Sequence, residues 1–267
     1  MIESSESGVH LELGELWEYR ELLYFLTWRD IKVRYKQTFM GAAWVIVQPL
    51  FTMILFTLFF NKFVGLKSGN IPYPYFAYAG LLLWTFFSNA VINGTTSLIS
   101  NTNLITKVYF PRMFIPAAAV GAGLVDLAVA SVFLLVLGFH YGIRPSWSLL
   151  LMPVFFLLAT LLALGVGLLA SALTVRYRDL RHALPFIIQF WLFASPVIYP
   201  FAIVPSKWRW VMLMNPFTGI VEGFRSSVTG AALGWHDIVI AAGITLALLV
   251  LSIYVFRRAE DTFADLI

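Results

Sequence analysis

The side chains that could do chemistry in this chain are few and far apart. It has no cysteine, so thiolate chemistry, disulfides and cysteine-ligated metal are excluded. The four histidines, His10, His140, His182 and His236, fall near a terminus or at the edges of apolar runs, too dispersed to form a ligand set. No G-x-x-x-x-G-K-[ST] phosphate loop occurs, and neither does H-E-x-x-H or G-x-S-x-G. The triplet Asn93-Gly94-Thr95 fits a glycosylation acceptor but lies inside an apolar run, where no transferase reaches it. These residues supply no catalytic and no metal site, and the chain reads as a non-enzyme.

One carboxylate stands apart. Asp126 is the single ionisable residue well inside an apolar run, where burying a charge costs at least about 2.5 kcal/mol. It serves either as a structural hydrogen-bond partner of a neighbouring helix or as a coupling group in transport. Gly121, Ala122 and Gly123 beside it permit close helix approach. Proton-coupled transport generally uses several such groups, which tips the balance towards structure.

Cations cluster just before the first apolar run. Arg20, Arg29, Lys32, Arg34 and Lys36 surround a helical face made by Trp17, Tyr24, Trp28, Ile31 and Tyr35. A basic amphipathic helix with aromatics suits the membrane interface; an ordinary soluble helix is the plainer reading. Arg29, Lys32, Arg34 and Lys36 are placed to attract an anion, which ordinary anionic lipids satisfy.

The elements that must position these groups follow from composition. Of 267 residues, 60% are hydrophobic and 12% charged, against roughly 25% in a soluble domain, so the chain's solvent is largely lipid. Mean hydropathy is +0.83. The first residues, Met1 to Gly14, are acidic and polar and do not read as a cleavable signal. Six apolar runs predict an all-α integral membrane fold with spans at 41–60, 75–97, 114–139, 149–175, 184–199 and 238–256, preceded by residues 1–40 and followed by a tail, 257–267. Between the fifth and sixth runs, residues 200–237 hold apolar pieces too short to span, which suits either re-entrant segments or a long surface loop.

With both termini in the cytoplasm, 12 of the 18 basic residues fall on that side. This is the positive-inside asymmetry. Aromatics make up 16% of the chain. Phe51, Phe56 and Phe59 on the first span, and Trp191, Phe193 and Tyr199 on the fifth, either pack against lipid or line a path on which sugar rings stack.

Several motifs together resemble a known family. They are Arg29-Asp30-Ile31-Lys32-Val33-Arg34-Tyr35-Lys36-Gln37 leading into Gly41-Ala42-Ala43-Trp44 and Gln48-Pro49-Leu50; Lys107-Val108-Tyr109-Phe110-Pro111-Arg112; Arg176-Tyr177-Arg178-Asp179-Leu180; Ser195-Pro196-Val197-Ile198-Tyr199-Pro200; and Asn215-Pro216-Phe217 through Glu222-Gly223-Phe224-Arg225. In order and over nearly the whole chain, they are similar to the permease subunit of bacterial ABC transporters that export polysaccharide (O antigen, capsule, teichoic acid), the Wzm-type permeases.

The resemblance implies a half-transporter in the inner membrane. Two copies would form the pore, and two copies of a separate subunit would bind ATP and magnesium, leaving this chain without a cofactor. It implies a coupling helix over 101–112, carried by Leu104, Ile105, Lys107, Val108, Tyr109, Phe110 and Arg112. It implies an interface helix with Arg29, Lys32, Arg34, Tyr35 and Lys36. It also implies extracellular gate helices with Trp208, Trp210, Asn215, Pro216, Glu222 and Arg225. Related permeases carry drugs or lipids, and that cargo is the alternative.

Overall fold

In hydrocarbon the backbone finds no partner but itself, so long apolar runs become helices. The computed structural model describes residues 13–36, 41, 43–69, 71–107 and 110–266, and among these there is no strand. Two short helices come first, α1 (Leu13–Glu18) and α2 (Arg20–Tyr35). Then α3 (Ala43–Phe56) passes without interruption into a π-helical stretch, Thr57–Phe63. Next come α4 (Tyr73–Ser100), α5 (Thr102–Lys107) and α6 (Phe114–His140). A 3-10 turn, Trp147–Leu151, leads into α7 (Met152–Arg176), followed by α8 (Leu180–Phe193). The chain closes with a 3-10 turn at Phe201–Ile203, α9 (Ser206–Leu213), α10 (Pro216–Thr229) and the long α11 (Trp235–Leu266).

Among the described residues five helical stretches are long and apolar enough to cross a bilayer: Ala43–Phe63, Tyr73–Ser100, Phe114–His140, Trp147–Arg176 and Trp235–Glu260. The expected fifth span, 184–199, is different. Its helix, α8, starts at Leu180 and stops at Phe193, and its 14 residues cover about 21 Å of a core roughly 30 Å thick. Residues 194–200 turn instead. Pro196 and Pro200 have no amide to continue a helical ladder. Side chains take carbonyls of this turn, Arg225 those of Pro196 and Val197 and Asn215 that of Ala194. The expected tail at 257–267 also differs, because α11 continues through Arg257 and Arg258 to Leu266.

The bundle is built around α4. In its most apolar window 78% of residues are buried, against 11% for α3 at the rim. α6 and α7 pack along α4, α11 packs along α7, and α3 and α8 flank α4 with most of their surface free. Contact between α7 and α11 is close: a side chain at Gly165 would strike Leu248 and the backbone of Leu249.

Segments assigned to one side of the membrane gather at one end. There Leu26, Ile105, Phe110, Met113, Phe114, Val175, Phe256 and Phe263 form one apolar cluster from α2, α5, the 110–114 turn, α7 and α11. At the opposite end Tyr73 Oη donates to the Ile198 carbonyl at 2.7 Å and Ser148 Oγ to the Ser227 carbonyl at 2.9 Å.

Candidate functional site

At the end holding α2, α5 and the tip of α11, the segment after α4 turns at Asn101, whose side chain donates to the Ser97 carbonyl at 2.8 Å. Its apolar residues look inward. Ile105 and Phe110 are buried in the cluster and Leu104 packs against it. The reading of Leu104, Ile105 and Phe110 as surface anchors for a partner therefore changes: their partner is this chain's own core. Asn103, Thr106 and Lys107 are the exposed positions. Val108 and Tyr109 lie outside the described residues. Arg112 is held by α11: its backbone amide donates to Glu260 Oε1 at 2.8 Å, and its guanidinium donates to the Glu260 carbonyl at 2.5 Å. Glu260 was not singled out in the sequence. Its position three residues after Arg257, on the same helix face, was the available signal.

α2 does not stand alone in the interface. It packs along α6, with Thr27 beside Gly121 and its last turn beside Asp126. Asp126 lies twelve residues into α6, about 18 Å along its axis. Arg34 forms an ion pair with it and Tyr35 Oη donates to its other oxygen. Burial, and then the adjoining carboxylate, push the Tyr35 phenol up to about 12, so it stays protonated and remains a donor. Arg29 pairs with Asp30 at 2.8 Å, and the Lys32 ammonium sits over the Trp28 ring at 5.3 Å. Lys36 is exposed. Of the proposed face, Trp17, Tyr24 and Trp28 are exposed and Ile31 and Tyr35 are half-buried, while Leu26, outside that face, is buried against the bundle.

Where α2 ends, a cavity of about 180 Å³ opens between α2, α3, α4 and α6. Arg34, Tyr35, Asp126, Gln48, Thr85, Asn89 and Asn93 give it a polar lining within apolar surroundings. Asn89 and Asn93, four apart on α4, share a helix face, and that spacing is visible in the sequence.

At the opposite end, α10 begins deep. Phe217 meets the rings of Trp84 and Phe87, each at 5.2 Å, and Phe87 lies fourteen residues into α4. That depth is about 21 Å. From there α10 climbs antiparallel to α11, with Gly219 beside Ala241 and Gly223 beside Ile238. The chain between α8 and α11 thus enters and leaves from the same end.

Asn215 fixes the turn at the bottom. Its Oδ1 accepts the Phe217 amide at 3.1 Å as a helix cap and the Trp191 indole N–H at 3.0 Å, while its Nδ2 donates to Ser195 Oγ at 2.8 Å. Pro216 occupies the first helical position, where its missing amide costs nothing.

Arg225 lies buried on α10 and is the other fixed point. Its guanidinium donates to the carbonyls of Phe76, Pro196 and Val197, pairs with Glu222 at 2.8 Å and lies over the Phe76 ring at 3.6 Å. Gly80 makes room, because a side chain there would collide with that guanidinium and with the Val197 carbonyl. Trp208 and Trp210 on α9 are exposed.

The aromatics expected along a path divide. Phe51, Phe59 and Phe193 are exposed on the free faces of α3 and α8, and Phe56 is partly covered. Trp191 is instead locked between Asn215 and Phe87, and Tyr199 donates to the Phe193 carbonyl at 3.0 Å. Among the described residues no three histidine, aspartate or glutamate side chains come together as a metal site.

Apolar helices of spanning length define an all-α multi-pass membrane protein. Residues 21–229 match the family described as ABC-2 type transporter, and the chain belongs to that membrane family. It is similar to the O-antigen export system permease protein RfbA of Myxococcus xanthus, 31% identical over 255 residues, covering 94% of this chain and 97% of the relative. The relative of the same name from Klebsiella pneumoniae is 28% identical over 257 residues, covering 96% of this chain and 97% of its own. The polysialic acid transport protein KpsM of Escherichia coli is 22% identical over 249 residues, covering 87% and 91%.

Proposed function

We propose that this chain is the membrane subunit of an ATP-driven exporter in the bacterial inner membrane. Its cargo is a lipid-linked polysaccharide, O antigen in the first instance and capsule or teichoic acid otherwise. The observation that carries the reading is the 31% identity to an O-antigen export permease along 94% of this chain.

Both termini lie in the cytoplasm, because the ends of α7 and α11, the α5 turn and α2 collect most of the lysine and arginine. Two copies pair through the free faces of α3 and α8, bringing Phe51, Phe59 and Phe193 to a shared path. Aromatic faces there stack on the C–H faces of sugar rings, which guides a sliding polymer without holding it. A separate subunit binds and hydrolyses ATP and docks at the α5 turn. Arg29, Lys32 and Lys36 draw the anionic lipid end towards α2. The hinge at Asn215 and Arg225 lets the outer end open.

Reconstitution with a candidate ABC-type ATPase subunit and labelled lipid-linked polysaccharides tests this. ATP-dependent transfer to the far side is expected. Efflux of a small amphiphile with no glycan transferred would overturn the cargo in favour of a drug or lipid.

A further inference from the structure

The ends of α7 and α11 enclose a second groove, of about 400 Å³, which shares no lining residue with the cavity at Asp126. Its walls are apolar and include Leu173, Val255 and Phe263; its rim carries Arg176 and Arg258, with Tyr254 between wall and rim. Both arginines are exposed. Arg176 follows directly on the apolar run of α7, and Arg258 follows that of α11 after Arg257, so both stand at the level where the hydrocarbon ends.

We propose that this groove holds one anionic phospholipid. Its phosphate would sit between Arg176 and Arg258, with the Tyr254 hydroxyl as a further donor, and one acyl chain would run along Leu173 and Val255. Charge decides the headgroup: two cations at the mouth of a groove between membrane helices favour an anionic lipid over a zwitterionic one. Depth decides between lipid and protein. The wall continues upward into exposed Val250, Leu251 and Tyr254 on α11, a surface within the hydrocarbon layer that a water-soluble partner cannot reach. The proposal rests on the chain spanning a membrane and is independent of the cargo.

Native mass spectrometry of the full chain in detergent, titrated with phosphatidylglycerol or phosphatidylethanolamine, tests it. The wild type should retain one tightly held phosphatidylglycerol per chain, at about tenfold higher affinity than phosphatidylethanolamine. The double variant R176Q/R258Q should lose that molecule, with affinity falling about tenfold, while R144Q, altered at the other end, should keep it. Equal retention by wild type and double variant overturns the site. Displacement of phosphatidylglycerol by millimolar inorganic phosphate overturns the lipid assignment in favour of a free anion. Export is not measured, so failure of the transport reading and failure of this site remain distinguishable.

Discussion

Arg34, at the end of α2, is ion-paired with Asp126, halfway along α6. The pair joins a helix that the sequence places at the membrane surface to the one carboxylate set deep in a span. Both side chains are largely shielded, at 28% and 20% exposure, so each needs the other more than a surface pair would. A cation that reads as bait for anions is thus committed to holding α2 against the bundle.

Arg34→Gln and Asp126→Asn should each lower the thermal midpoint of the purified protein, because each strands one charge in apolar surroundings. The cost should be about 1–3 kcal/mol for a single change. The double variant should recover part of that loss, a coupling of about 1 kcal/mol or more. Tryptic cleavage after Lys32 should quicken in the single variants as α2 lifts. Strictly additive losses would show that the two residues act independently.

Arg225→Gln should be the more damaging change at the opposite end. It removes the donors to three backbone carbonyls and leaves Glu222 without its cation, for a loss of about 2–4 kcal/mol. Arg225→Lys should rescue little, since an ammonium cannot reproduce the planar fork. Gly80→Ala should resemble Arg225→Gln in thermal midpoint, because the added methyl falls where the guanidinium sits. A Gly80→Ala protein as stable as wild type would remove Arg225 from this role.

Five of the six expected spans were legible because composition alone dictates them; α6 ends one residue beyond its expected bound, and α7 starts three residues after and ends one residue beyond its own. What escaped was set by contacts between distant residues. Asp126 meets Arg34 across 92 positions, and nothing local marks the pairing. Arg225 enters the sequence reading only as a gate residue implied by the resemblance, whereas the structure buries it against the carbonyls of Phe76, Pro196 and Val197. Ile105 and Phe110 show the same limit: apolar residues in a loop fit a partner's surface or the chain's own core equally well. Asn215-Pro216 carried a local signal that went unread, since a cap followed by proline favours a helix start whatever lies around it.

The inward turn of Ile105 and Phe110 divides the α5 segment into two classes of variant. Phe110→Asp should lower the thermal midpoint markedly, by about 3 kcal/mol or more, and any loss of export would follow from misfolding. Lys107→Glu and Asn103→Asp should leave the midpoint within about 0.5 kcal/mol of wild type. If an ATPase docks here, those exposed changes should still weaken co-purification with it and lower polysaccharide-stimulated ATP hydrolysis. Normal co-purification in both would move the docking surface elsewhere.

Glu260 tests whether α11 moves with the α5 turn. Its side chain holds the Arg112 amide while its backbone accepts the Arg112 guanidinium, so the turn and the end of α11 are linked at two points. Arg257 approaches the same carboxylate at 3.8 Å, and its Nε and Nη2 are buried without a partner among the described residues. Glu260→Gln keeps an acceptor for the Arg112 amide but leaves Arg257 uncompensated. Glu260→Ala removes both functions and keeps only the backbone carbonyl. The expected order of thermal midpoints is therefore wild type, then Gln, then Ala, with about 1–2 kcal/mol lost in the last. If the link transmits motion, Glu260→Ala should also raise ATP hydrolysis that is not matched by export, whereas a purely structural contact would lower both in proportion. Measuring the two rates side by side in proteoliposomes separates these outcomes, because only the transmitting role changes their ratio.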